Sequence, residues 1–199
     1  MRFPNILKIA TSSLVLSACA NDGPCGECRI HGTLPSDKWD GEYVYFVPMY
    51  DVKETGMDSA KITGNEFNLS TTKSTLYDIR LSWRTRFGLQ RLLLATEPGD
   101  VAVTIDSISF GGGTPQNDSL QAWKDRTADY RLAAAALSTA YNNFYAAGDS
   151  VAGDAVKAQA KAARAAYRQA TERMADSMPG TPVAKFLNGM VLGREKLDK

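Results

Sequence analysis

The stretch FGGGTPQND, residues 110–118, separates two parts of the chain that differ in secondary-structure pattern. Before it, short runs rich in β-branched and aromatic residues alternate with turn residues, as in β-strands. After it, no proline occurs between Pro115 and Pro179 and alanine is abundant, which is typical of helices. The order of the two patterns predicts an α+β fold, in which an antiparallel β-sandwich precedes a helical part.

Seven or eight strands are expected before the boundary. They are residues 29–34, 43–47, 59–62, 66–70, 76–83, 91–95, 101–105 and 107–110. Thr63-Gly64-Asn65 is expected to close a hairpin between the third and fourth runs, because glycine and asparagine adopt positive φ. Spacings of roughly ten residues are typical of an antiparallel sandwich or barrel.

Two long helices are expected after the boundary, the first of which begins at Asn117 or Asp118. Apolar or small residues then recur at steps of three and four, which is a heptad pattern. In the first helix they are Leu120, Trp123, Thr127, Tyr130, Ala134, Leu137, Tyr141 and Phe144, and in the second they are Val156, Ala160, Ala163, Tyr167, Ala170 and Met174.

The short break Gly148-Asp149-Ser150 makes these helices an antiparallel hairpin. A helix of about 30 residues extends about 45 Å, whereas a strand of five or six residues covers about 17–20 Å. The hairpin is therefore expected to overhang the β-part. Thr181-Pro182 predicts a short third helix, whose apolar face consists of Val183, Phe186, Leu187 and Met190.

The N-terminus has the pattern of an export signal. Arg2 and Lys8 supply positive charge, and the apolar run Ile9 to Leu16 is too short to cross a bilayer. Leu16-Ser17-Ala18-Cys19 resembles the lipobox of bacterial lipoproteins. That resemblance implies removal of residues 1–18 and acylation of Cys19, which would anchor the chain in the cell envelope, on the periplasmic or surface face of the outer membrane. A plain signal peptide with Cys19 as a chance residue is the alternative.

The net charge of the chain does not indicate a class of partner. The chain has a net charge of +1, and removal of Arg2 and Lys8 leaves 21 basic and 22 acidic residues. We therefore expect no nucleic acid as a partner. The acidic residues are concentrated before the boundary, because residues 19–116 carry 9 basic and 13 acidic residues and residues 117–199 carry 12 and 9.

Cys25 and Cys28 are the most suggestive chemical pair. An oxidising envelope favours a structural disulfide between them. Two intervening residues also suit a redox-active pair, although no helix start follows to lower a thiolate pKa. With His31, the chain's single histidine, they supply three zinc ligands where a structural site needs four. We expect His31 to be an ordinary strand residue, and we expect no metal, no cofactor and no catalytic residue.

Three further segments allow a structural or a functional interpretation. Gly111 to Thr114 resembles a phosphate loop, but it lacks the lysine of such loops and favours a crossover from sheet to helix. Trp83, Arg84, Arg86 and Phe87 form either an aromatic–basic surface or a long hairpin loop. Lys157, Lys161, Arg164 and Arg168 form a basic stripe on the second helix, which is either a solvated face or a surface for an acidic partner or anionic lipid.

Short motifs in a characteristic order resemble a known family. They are Ile30-His31-Gly32, Gly41 to Phe46, Asp58-Ser59-Ala60, Asn65-Glu66-Phe67, Glu97-Pro98-Gly99, residues 113–118, the helical hairpin and Thr181-Pro182. Together they resemble the N-terminal domain of unknown function in exported bacterial lipoproteins that continue into a thioredoxin-like domain of the TlpA type. The resemblance covers residues 28–192. The family's redox motif Trp-Cys-x-x-Cys does not occur in the 199 residues, so we expect the accessory domain without its redox domain.

The sequence patterns divide the chain into a signal peptide (1–18), a tether (19–28), a β-sandwich (29–116), a helical part (117–192) and a tail (193–199). The long heptad seam and the missing redox motif favour a non-catalytic accessory domain that binds a protein, either a thioredoxin-like protein in trans or a second copy. The alternative is a thiol–disulfide accessory protein that uses Cys25 and Cys28. A third hypothesis, a sandwich that binds glycan or lipid, depends on Tyr43 and Tyr45.

Overall fold

A computed structural model describes residues 26–50, 56–81 and 89–193 of the chain. Eight strands form the first part of these residues. They are β1 (Cys28–Thr33), β2 (Tyr43–Pro48), β3 (Asp58–Lys61), β4 (Glu66–Thr71), β5 (Leu76–Leu81), β6 (Leu92–Ala95), β7 (Gly99–Thr104) and β8 (Phe110–Gly112). The helices follow as α1 (Pro115–Ala146), α2 (Ser150–Asp176) and α3 (Pro182–Phe186), and α3 continues as a π-helical turn, Leu187–Leu192. The expected α+β class and element order are confirmed.

The strands form two four-stranded sheets, with the orders β4-β1-β7-β8 and β3-β2-β5-β6. The expectation of a purely antiparallel sandwich is wrong at one pair, because β1 and β7 are parallel, in register from Cys28 with Gly99 to Thr33 with Thr104. Parallel neighbours need a long connection, and five intervening strands supply it. Sequence periodicity does not report strand direction, so this pairing was not predictable from the local pattern.

The core lies between the two sheets. Ile30, Val101 and Phe67 of the first sheet pack with Phe46 and Ile79 of the second. Phe67 lies opposite Gly32 on the neighbouring strand, and its ring occupies the space where a side chain at residue 32 would project. This contact explains why a glycine follows His31 in β1.

The turn at Gly64-Asn65 does not close a hairpin within one sheet. Both residues have positive φ, 62° and 58°, as expected for the turn. However, β3 pairs with β2 and β4 pairs with β1, so the turn carries the chain from one sheet to the other. The Asp40 carboxylate accepts hydrogen bonds from the backbone N–H groups of Gly64 (2.6 Å) and Asn65 (2.9 Å) and holds this corner.

The first helix begins two or three residues earlier than expected. Thr114 has an extended backbone and Pro115 is the first helical residue, because proline tolerates that position and presets its φ. Asn117 and Asp118 lie in the first turn instead of before it. The Asp118 carboxylate accepts a hydrogen bond from the Gly113 backbone (2.8 Å), which joins the glycine crossover to the helix.

The base of the helical part covers the outer face of the second sheet. Leu76 and Ala95 from that sheet pack with Leu120, Ala175 and Leu187 from the helical part. Four successive residues of β5, Leu76 to Ile79, are therefore buried. The buried Asp78 carboxylate is held by the guanidinium groups of Arg80 and Arg91.

The short third helix has the expected cap. The Thr181 hydroxyl accepts a hydrogen bond from the Ala184 backbone (3.2 Å), and Val183, Phe186 and Leu187 are buried. Met190, in contrast, is 60% exposed, so its assignment to the apolar face was wrong. The π-helical turn contains an extra residue, which rotates Met190 away from the core.

The hairpin overhangs the sandwich, as its length predicted. The buried residues of α1, Gln116, Asn117, Leu120 and Thr127, all lie in its first half. Beyond them, α1 packs against α2 with half-buried and exposed side chains. None of the described helices combines the length and the apolar character that a membrane span requires.

Candidate functional site

The heptad seam of the hairpin is closed at its inner end by two tyrosines. The rings of Tyr130 on α1 and Tyr167 on α2 stack with centroids 4.5 Å apart and planes at 10°. The Tyr167 hydroxyl lies 2.9 Å from the Thr127 hydroxyl, which itself donates to the Trp123 carbonyl oxygen (2.7 Å). Stacked rings and a hydrogen-bonded pair fix the helices to each other at this level.

Beyond the tyrosine stack, one side of the seam opens into a groove of about 520 Å³. Residues of α1 and α2 alone line it. They are Tyr130, Ala134, Leu137, Ser138, Tyr141, Val156, Lys157, Ala160, Lys161, Ala163 and Arg164. Its apolar floor consists of Val156, which is buried, and of three half-buried alanines, Ala134, Ala160 and Ala163. The predicted seam residues are thus brought together as expected, but between Tyr130 and Tyr141 they remain half exposed.

The basic stripe predicted on the second helix borders this groove. Lys157, Lys161 and Arg164 line it, and its lining contains no carboxylate. Arg168, one turn further, pairs with the Glu172 carboxylate (3.0 Å). The groove accordingly combines an apolar floor with an edge of positive charge.

A second, more polar cleft of about 610 Å³ lies between the second sheet and α3. The Tyr50 hydroxyl and the Asn188 amide oxygen are buried there without a hydrogen-bond partner among the described residues. The Lys185 ammonium lies 5.0 Å from the centre of the Tyr50 ring, and burial raises the pKa of the Tyr50 hydroxyl. Asp176 and Lys185 both line the cleft, so it has no single sign of charge. Sequence reasoning missed this site because its residues are far apart in the chain.

A third depression lies where α1 leaves the sandwich. Arg91, Ile108 and Lys124 are among the residues that line it. Burial lowers the pKa of the Lys124 ammonium to about 8, and the neighbouring Asp125 offsets part of that effect. Lys124 therefore carries a desolvation cost that the exposed lysines of α2 do not share.

The cysteine motif is described only in part. Cys28 begins β1 and is 1% exposed, while Cys19 and Cys25 lie outside the described residues. Burial raises the pKa of the Cys28 thiol, which disfavours the thiolate form needed for attack on a disulfide. Within residues 26–50, 56–81 and 89–193, no group of three or more His, Cys, Asp and Glu side chains is placed to hold a metal ion.

The other residues singled out in the sequence lie in strands or at the crossover, or they fall outside the described residues. The His31 ring nitrogen Nδ1 lies 2.8 Å from the Asn68 amide oxygen on the paired strand. Gly111 and Gly112 belong to β8, and Gly113 has a φ of 104° at the crossover into α1. The rings of Tyr43 and Tyr45 lie 6.3 Å apart on β2. The segment from Trp83 to Phe87 lies outside the described residues.

Comparison with protein families gives one match. Residues 28–120 match the family model described as a domain of unknown function, DUF4369. The match covers all eight strands and the start of α1, which agrees with the resemblance seen in the sequence motifs. No curated protein and no solved structure is significantly similar to the chain.

Proposed function

We propose, starting from the match of residues 28–120 to the DUF4369 family model, that this chain is an envelope lipoprotein with a non-catalytic protein-interaction domain. One observation carries the proposal: the hairpin projects beyond the sandwich, and the seam residues of α1 from Tyr130 to Tyr141 are only half-buried there. Burial of apolar surface is favourable by about 25 cal/mol per Å². Binding of a partner that buries the apolar surface of the seam would therefore be favourable.

The sandwich serves as a rigid base in this proposal. Asn117 and the cluster around Leu120 fix the inner end of α1 to the second sheet, and the stacked tyrosines fix α1 to α2. The groove is consequently preorganised, and a partner would not have to order it on binding. Preorganisation lowers the entropic cost of association.

A lipid on Cys19 would hold the domain at a membrane. The predicted tether of residues 19–28 spans at most about 3.3–3.6 Å per residue, or about 35 Å in total. A thioredoxin-like protein acting in trans fits the family resemblance as a partner of this tethered domain.

The alternative function, thiol–disulfide exchange by Cys25 and Cys28, has less support. Burial of Cys28 and the raised pKa of its thiol suit a structural cysteine better than an attacking one. We therefore keep protein interaction as the proposed function.

Site-specific photocrosslinking in cells that express the full chain tests this proposal. A photoreactive phenylalanine analogue replaces Leu137, which lines the groove, or Ala136, which is exposed beside it and does not line the groove. We expect a discrete protein adduct from position 137 that is absent from position 136. Equal adducts from both positions, or none from 137, would refute the groove as an interaction surface.

A further inference from the structure

We infer that the hairpin groove receives an acidic amphipathic helix of a partner protein, which lies along the groove as the third helix of a bundle. This inference rests on the proposed function and specifies its partner by chemistry.

The groove has the dimensions and the periodicity that a helix requires. On α1, Tyr130, Ala134, Leu137 and Tyr141 recur at steps of four, three and four, and on α2 Val156, Ala160 and Ala163 continue the same pattern. The eleven residue steps from Tyr130 to Tyr141 rise about 16 Å, which is about three helical turns. A helix with apolar residues in heptad positions can insert them between the walls of this groove.

The positive charge along the groove edge determines that the incoming helix should be acidic. Lys157, Lys161 and Arg164 follow one another at steps of four and three, so they form a row along one edge of the groove. Acidic residues beside the apolar positions of an incoming helix would face this row. In helical bundles such flanking charges decide which partner and which orientation are accepted.

The same charges disfavour a second copy of this chain. Two copies joined through their grooves would bring two basic edges into one interface, where like charges repel. A flat anionic lipid surface could reach the lysines but not the alanine floor of the concave groove. An acidic helix satisfies both the apolar floor and the basic edge.

Direct binding to a defined probe tests the inference. The probe is a fluorescein-labelled peptide of three Leu-Glu-Ala-Leu-Glu-Ala-Glu heptads, and its counterpart carries lysine at every glutamate. The protein is the full mature chain with Cys19→Ser, which needs no detergent, and binding is measured by fluorescence anisotropy. We expect the acidic peptide to bind with a dissociation constant that rises with salt, and we expect no binding of the lysine peptide.

Matched variants locate the binding. Lys157→Glu/Arg164→Glu reverses two charges that line the groove, whereas Arg126→Glu/Arg173→Glu reverses two exposed charges that do not line it. The first variant should weaken the acidic peptide at least tenfold and gain affinity for the lysine peptide. The second should change neither value more than twofold. Circular dichroism verifies that both variants are folded.

Several results would overturn the inference. Equal affinity for both peptides, or an equal effect of both variants, would show that the acidic helix is not recognised in the groove. The same holds if the groove variant abolishes a dimer seen by light scattering, or binding to phosphatidylglycerol vesicles, while the acidic peptide does not bind. A protein adduct from Leu137 in cells together with failure of both peptides would reject the acidic helix and leave the proposed function standing.

Discussion

The Asn117 carboxamide on α1 binds both backbone groups of Ala95 on β6. Its oxygen accepts from the Ala95 N–H (2.9 Å) and its nitrogen donates to the Ala95 carbonyl oxygen (2.8 Å). Because β6 is an edge strand, these groups have no neighbouring strand to pair with. The Asn117 side chain thus makes the hydrogen bonds that a neighbouring strand would make, and it joins the helical part to the sandwich.

Replacement of Asn117 by alanine should destabilise the protein strongly. Asn117 is 1% exposed, and its loss leaves the Ala95 N–H and carbonyl without partners at a cost of about 1–3 kcal/mol each. Urea unfolding followed by circular dichroism measures the change. Asn142→Ala, at an exposed position of the same helix, should have an effect within about 0.5 kcal/mol. Similar midpoints for the two variants would contradict this role of Asn117.

Replacement of Gly32 by alanine should disrupt the core. A Cβ atom at residue 32 would lie 1.9 Å from the Phe67 Cζ atom, so the ring must move from its packed position. Overpacking of this kind typically costs about 1–3 kcal/mol. Thermal unfolding of Gly32→Ala should show a lower midpoint, and Gly32→Ala/Phe67→Leu should recover part of it. Additive losses in the double variant would show that Phe67 is not the cause.

Replacement of Lys124 by methionine should stabilise the protein at neutral pH, and the gain should diminish as the pH rises. Below pH 8 the ammonium is charged in the folded and unfolded states, so the wild-type protein bears its full burial cost. From about pH 8 towards the unfolded pKa near 10.4, the folded state loses the proton first and that cost is removed. Urea midpoints of both proteins at pH 6.5 and pH 10 measure the difference. A constant difference would contradict the lowered pKa.

Replacement of Cys19 by serine should release the protein from the membrane. If the lipobox resemblance is functional, the wild-type chain lies in the membrane fraction with a mass increased by its acyl groups, whereas Cys19→Ser carries no lipid. Cell fractionation and intact-mass measurement distinguish the two. Cys25→Ser is the control, and it should remain membrane-bound. An unmodified wild-type protein that retains Met1 would refute the anchor.

The local patterns of the sequence predicted the elements better than their partners. The runs around Tyr45 and Leu94 have strong β-propensity, so their strands were foreseeable. Strand pairing depends on distant segments, and therefore the parallel β1–β7 pair and the separation of β3 from β4 were not. The start of α1 was predictable, since Thr114-Pro115 is the same cap-and-proline pattern as Thr181-Pro182.

The candidate site was predicted as two unconnected observations. The heptad steps predicted the seam, and the spacing of the basic residues predicted the row from Lys157 to Arg168. A two-helix seam has two sides, and the sequence does not indicate which side another element covers. The structure shows a groove on the side that is bordered by the basic row. The cleft at Tyr50 and Asn188 requires contacts between distant segments and had no local pattern.

The overhang of the hairpin determines how far from the sandwich a partner would bind. Tyr130, where the groove begins, lies fifteen residues beyond Pro115, which is about 22 Å along the helix axis. The sandwich therefore supports only the base of the hairpin, and the groove lies beyond it. A partner can reach the groove without contacting the sandwich, because α1 and α2 alone line it.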